Sequence, residues 1–234
     1  MGKTHVVEQG EHLAGIAKKY GFRDFHTVWD DGPNADLKKS RKNPNILFPG
    51  DSVLIPDLLP KWVGADTGKL HLFNVKIQKV LLQIIVEDTD ETPLAGTPST
   101  LKVKENKFEQ PVQPDGMVKA EIDEDDKDGQ LTLKEKKLDY RLRIGHLNPL
   151  IVDPDKETDA KRRAEAIIAW QDRLNNLGYF AGFTIDDTDQ FQWALQEFQR
   201  DHGWVLDTKK EKGKKLNGKT DQDTRDKLEE VYGC

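Results

Sequence analysis

Apolar positions change their spacing twice along this chain, and the changes divide it into three blocks. In the first, Thr4 to Val7 alternate as a short strand that turns at Gln9-Gly10. Leu13, Ile16, Ala17 and Tyr20 then recur at helical spacing, and Gly21 supplies a stop. Phe25, Val28 and Trp29 mark a second apolar surface, Asp36 to Arg41 a further short helix ended before Asn43-Pro44, and Ser52 to Ile55 a closing strand after the Pro49-Gly50 turn. The predicted order is strand, helix, helix, strand. In the second block the period falls to two: Val80, Leu82, Ile84 and Val86 alternate, and Leu101–Val103, Met117–Ile122, Leu131–Leu133 and Tyr140–Ile144 follow as short runs between Gly, Pro and Asp. That pattern predicts a small antiparallel sandwich. The third block returns to helical spacing. Ile167, Trp170, Leu174 and Leu177 form one stripe ended by Gly178, and Phe191, Ala194, Leu195 and Phe198 a second ended near Gly203. Asp221 is placed to cap a last helix carrying Thr224, Leu228 and Val231.

The boundaries drawn from these changes are 1–57, a linker 58–68 that includes Leu58-Leu59-Pro60-Lys61, 69–147, a linker 148–160, and 161–234. The predicted class is α+β multidomain: a βααβ module, an antiparallel β-sandwich and a three-helix bundle. Composition agrees, since 33% charged against 35% hydrophobic residues over 234 positions suits several small cores better than one thick core. The net charge of −6 provides no basic field for a phosphate backbone, which argues against a nucleic-acid partner. The basic run Lys209, Lys210, Lys212, Lys214, Lys215 is interrupted by Gly213, contains no aromatic residue and reads as a solvated loop. The single cysteine, Cys234, precludes an intrachain disulfide. No apolar stretch reaches the length of a membrane span and the N-terminus shows no signal-peptide core, so synthesis and folding in the cytoplasm, with no membrane partner, are expected.

The first block resembles a LysM domain. The resemblance rests on His5-Val6-Val7-Glu8-Gln9-Gly10-Glu11-His12-Leu13, Ile16-Ala17, Tyr20-Gly21, Asn43-Pro44-Asn45-Ile46-Leu47, Pro49-Gly50-Asp51 and Ile55-Pro56, in order and across nearly the whole block. It implies a shallow groove for N-acetylglucosamine-containing chains between the loop after the first strand and the loop before the last. Carried over, Gly10, Glu11, His12 and Leu13 form one wall and Asn45, Ile46 and Leu47 the other. Backbone and short polar groups would take the acetamide and an apolar floor its methyl. Glu11-His12 stand where the family usually has Asp-Thr or Asp-Ser, and Trp29 to Arg41 is longer than in a minimal member.

The third block resembles the helical peptidoglycan-binding domain often appended to wall hydrolases, on Gln171 to Tyr179, Ala194-Leu195, Phe198-Gln199, Gly203, Asn217-Gly218, Thr220-Asp221, Thr224 and Leu228. Where that family carries glycines before its middle helix, this chain has Asp186-Asp187-Thr188-Asp189-Gln190. The arrangement of three blocks, with Ile144-Gly145-His146-Leu147-Asn148-Pro149 at the second junction, is similar to that of accessory proteins of contractile injection systems such as type VI secretion spikes. That similarity implies a route to the periplasm by injection.

Catalytic chemistry finds little footing. The six histidines, His5, His12, His26, His71, His146 and His202, show no metal-ligand spacing. Acidic residues crowd polar turns such as Asp123 to Asp128, where nothing is expected to raise a pKa as a glycosidase acid requires. Glu124, Asp126, Asp128, Gly129, Leu131 and Glu135 mimic a calcium loop, but strands rather than helices flank them, so a β-turn is expected. Trp29, Trp170, Trp193 and Trp204 are assigned to helix packing, and Trp62 to the surface. The reading is therefore a non-catalytic binder of peptidoglycan glycan chains, without metal or cofactor, acting through the first block and assisted by the third. Its alternative is an adaptor that uses the same modules to hold a secretion spike or effector protein.

Overall fold

The computed structural model describes residues 2–59, 62–73, 79–206, 209 and 211–233. Pro60, Lys61, Lys210 and Cys234, named above, lie outside them. The chain is α+β, with six α-helices and antiparallel sheets among the described residues, and it divides into two compact units, Met1–His146 and Leu147–Cys234.

The first unit opens with β1 (Lys3–Val6), α1 (Leu13–Lys19), α2 (His26–Trp29), α3 (Ala35–Arg41) and β2 (Ser52–Ile55). β1 and β2 pair antiparallel, with His5 opposite Val53. Leu13, Ile16 and Ala17 stack on one face of α1 and share a core with Val7, Phe22, Val28, Trp29, Leu47, Val53 and Ile55. Asn34 fastens the helices to the sheet: its amide nitrogen donates to Val28 O and Leu54 O at 2.8 and 2.7 Å, and its oxygen accepts from Leu54 N at 2.8 Å. Arg41 grips Asp51 through two bonds of 2.6 and 2.7 Å, and Asp51 also accepts from Phe48 N, which closes the loop before β2.

After a described stretch without regular structure at 62–73, the same unit continues with β3 (Lys79–Ile85), β4 (Pro98–Val103), β5 (Asn106–Pro111), β6 (Met117–Asp123), β7 (Asp128–Leu133) and β8 (Leu138–Arg143). β3 pairs with β6, and a four-stranded sheet runs in the order β5-β4-β7-β8, all antiparallel. Inward residues of both sheets, among them Leu101, Val103, Val118, Ile122, Leu131 and Leu133, form one core. β5 was not anticipated: Asn-Lys-Phe-Glu-Gln-Pro offers one apolar side chain, and the hairpin partner β4 makes it a strand.

The second unit holds α4 (Ala160–Asn176), α5 (Thr188–Asp201) and α6 (Gln222–Tyr232), which share a core of Leu150, Ala169, Trp170, Leu174, Ala181, Ala194, Leu195, Phe198 and Leu228. Asp159 and Asp221 cap α4 and α6, accepting from Arg162 N and Thr224 N. The glycine absent from the turn before α5 is found earlier, at Gly182. Its φ of 75° and the Asp187 carboxylate folded over it, accepting from Phe183 N and Thr184 N, close that turn. Gln199 reaches from α5 to Asn217, Gly218, Lys219 and Thr224 and holds the loop before α6. Asn148 and Leu150 are buried against α4, whose Arg173 and Trp170 donate to Asn148 O and Ile151 O at 2.9 Å.

Candidate functional site

The two loops expected to form a groove are joined by one backbone bond, Leu13 N to Pro44 O at 3.0 Å. The bond ties the start of α1 to the turn that carries Asn45 and Ile46, but few of the seven candidate residues face solvent. Leu13 and Leu47 are buried in the core beneath. Asn45 is exposed and Ile46 half-buried, on a turn in which Asn43 accepts from Asn45 N through its side chain and from Ile46 N through its carbonyl.

Glu11 is committed locally. One carboxylate oxygen accepts from His5 Nε2 at 2.7 Å and Glu8 N at 2.9 Å, while Lys19 Nζ lies 3.3 Å from the other. Burial pushes its pKa up, and the Glu8 amide and His5 outweigh this, leaving it below the usual carboxylate value. His5 is fixed in turn by Tyr20 OH at 3.2 Å.

His12 caps α1. Its Nε2 donates to Glu124 O at 2.7 Å, which leaves Nδ1 to accept, at a long 3.4 Å, from Gly15 N. Burial lowers its pKa, against the opposing pull of the Glu124 carbonyl. The β6–β7 turn therefore sits on the start of α1. A second cover comes from the chain after β8: His146 O accepts from Gln9 side-chain nitrogen at 3.0 Å, and the His146 ring lies 3.0 Å from where a Cβ on Gly10 would stand. Gly10 has a φ of 80°, so glycine is required there both for conformation and for this approach. Gly145 packs on the same spot, near Gly10 O and the His12 ring. Glu124, Gly145 and His146 were not singled out as parts of this site, because contacts across more than a hundred residues leave no local pattern.

The acidic β6–β7 turn differs from expectation in one respect. Glu124 is only 6% exposed, and burial raises its pKa, with Lys18 at 3.8 Å opposing. Asp123, Asp125 and Asp126 converge, and lysines neutralise them: Lys79 meets Asp123, and Lys104 meets Asp126 at 2.6 Å and Asp125 at 3.5 Å. Gly129 and Leu131, which a calcium loop would need in a turn before a helix, lie in β7. Two shallow depressions lie away from these residues, one lined by Tyr20, Phe22, Ile55 and Pro56, another by Pro98, Thr100, Gln110 and Lys134.

Tryptophan placement splits. Trp29, Trp170 and Trp204 are buried, Trp62 is 91% exposed, and Trp193, expected in a core, is 63% exposed because it points off the outer side of α5. Phe180 and Phe183, in the loop before α5, are exposed and touch edge to face at 5.8 Å. Among the described residues no helix is long and apolar enough to cross a membrane. No protein-family model, curated protein or solved structure matches this chain.

Proposed function

We propose that this chain is a non-catalytic binding protein that recognises N-acetylglucosamine-containing glycan of the cell wall at the lip formed by Asn45 and Ile46. The observation that supports this reading most is the Leu13 N–Pro44 O bond, which sets the two loops edge to edge. Asn45 offers donors and an acceptor for an acetamide, and Ile46 an apolar contact for its methyl. The opposite wall is narrowed by His146 and Glu124. Binding is therefore shallow, and gains from a second attachment in the helical unit through effective concentration.

The test is sedimentation of the full chain with purified peptidoglycan sacculi. Asn45→Ala/Ile46→Asp should release the protein into the supernatant while leaving its circular dichroism unchanged. His146→Ala, which uncovers Gly10, should increase the bound fraction severalfold. A folded wild type that never sediments would overturn the reading.

A second reading has its own support. Gly10 and His12 are spent on contacts within the chain, and exposed aromatic side chains of the kind that anchor protein interfaces are present at Phe180, Phe183 and Trp193. These favour an adaptor, associated with the spike or an effector of a contractile injection system and carried by it to the periplasm. An adaptor would retain such a protein from solution and ignore sacculi.

A further inference from the structure

The edges of the sheets in the first unit are not alike. β8 carries Asp139, Arg141 and Arg143, and β5 carries Lys107, Glu109 and Pro111, which are the usual guards against pairing with another strand. β3 has none of these between Val80 and Ile85, and among the described residues it pairs with β6 alone. Leu81 and Ile85 on its outer face are 56% and 58% exposed.

The direction of its free backbone groups follows from the register. Val86 N donates to Gly116 O at 2.8 Å, and those two residues continue the register in which Ile85 faces Met117. Bonded and non-bonded pairs alternate in an antiparallel ladder. Val80, Leu82 and Ile84 thus direct their N–H and C=O toward β6, Val86 bonds Gly116 through its N–H and Leu94 N through its C=O, and Lys79, Leu81, Gln83, Ile85 and Glu87 direct theirs outward.

We propose that this edge pairs with the same edge of a second copy of this chain, antiparallel, about a two-fold axis at Gln83. In that register Lys79 faces Glu87, Leu81 faces Ile85, and Gln83 faces its own counterpart. Opposite charges meet, apolar side chains meet, and amide meets amide, as favourable cross-strand pairs require. Moving the axis to Leu82 sets Leu81 against Gln83 and Lys79 against Ile85; moving it to Ile84 sets Leu81 against Glu87. Of these three registers only the one about Gln83 matches charge with charge and apolar with apolar, as a two-fold interface needs.

The experiment is sedimentation velocity of the full chain across a wide concentration range. A concentration-dependent dimer is expected. Gln83→Pro removes an N–H that points away from β6, a change that an edge strand accommodates. It deletes two intermolecular bonds per dimer and should raise the dissociation constant at least about tenfold. Oxidation of Gln83→Cys in a Cys234→Ser background should yield a covalent dimer. Leu81→Cys should not, since its two copies would lie about 13 Å apart along the strands. A monomer at every concentration overturns the proposal and leaves the edge to a foreign strand. A dimer unaffected by Gln83→Pro, or crosslinked through Leu81→Cys instead, also overturns it.

Discussion

Two side chains in the first unit show how a polar residue here is defined by its partners. Asp51 is nearly buried and accepts from two of the three guanidinium nitrogens of Arg41 and from Phe48 N. Asp51→Ala strands a buried cation, and should cost about 3 kcal/mol in the denaturation of the N-terminal block. His12 is held neutral, with its folded pKa below the ordinary imidazole value of 6.5. Its contribution to stability is therefore complete above that value, and is lost as the pH falls through the lowered folded value, because the unfolded chain binds the proton first. The groups facing it are Glu11 and Lys127 by charge and Glu124 O and Gly15 N by hydrogen bond. Denaturation curves taken across this range should show the loss, and His12→Gln, which keeps a donor but does not titrate, should flatten it. His12→Ala, lacking both cap and donor, should cost about 1–2 kcal/mol at neutral pH.

Elements came through the sequence unequally. Those with one clear apolar period were legible: α1 from Leu13, Ile16 and Ala17, α4 from Trp170 and Leu174, and β3 from Val80, Leu82 and Ile84. β5 was not, since its side chains are mostly polar and its strand conformation comes from β4. Trp193 misled because a large aromatic on a helix is more often inside than outside. The two candidate loops are joined by the bond between Leu13 and Pro44, and the cover of the first by Glu124, Gly145 and His146 is a tertiary fact with no local signature. Polar latches between elements are also invisible to periodicity. Gln199 is fully buried and serves the Asn217–Gly218 backbone and Thr224. Gln199→Ala should leave these groups unpaired, cost about 2–3 kcal/mol, and speed amide exchange at Asn217 and Gly218 before it affects α4.

For the whole chain, the division after His146 has a practical consequence. A fragment spanning 147–234 should keep its helical circular dichroism, whereas one beginning at 161 loses Leu150 from the core and leaves Trp170 and Arg173 without their carbonyls at Ile151 and Asn148. Loss of the leucine alone removes about 2 kcal/mol, so the shorter fragment should melt at a visibly lower temperature.

The cover over Gly10 also sets an order of events during synthesis. The core of the N-terminal block draws only on residues between Val7 and Ile55, so it can close as soon as Ile55 has left the ribosome. His146 follows roughly ninety residues later, on the order of 5–20 seconds at the usual pace of translation. Through that interval the nascent chain presents Gly10 and His12 bare. A chaperone or nascent partner that grips this face has a brief window that the finished protein no longer offers.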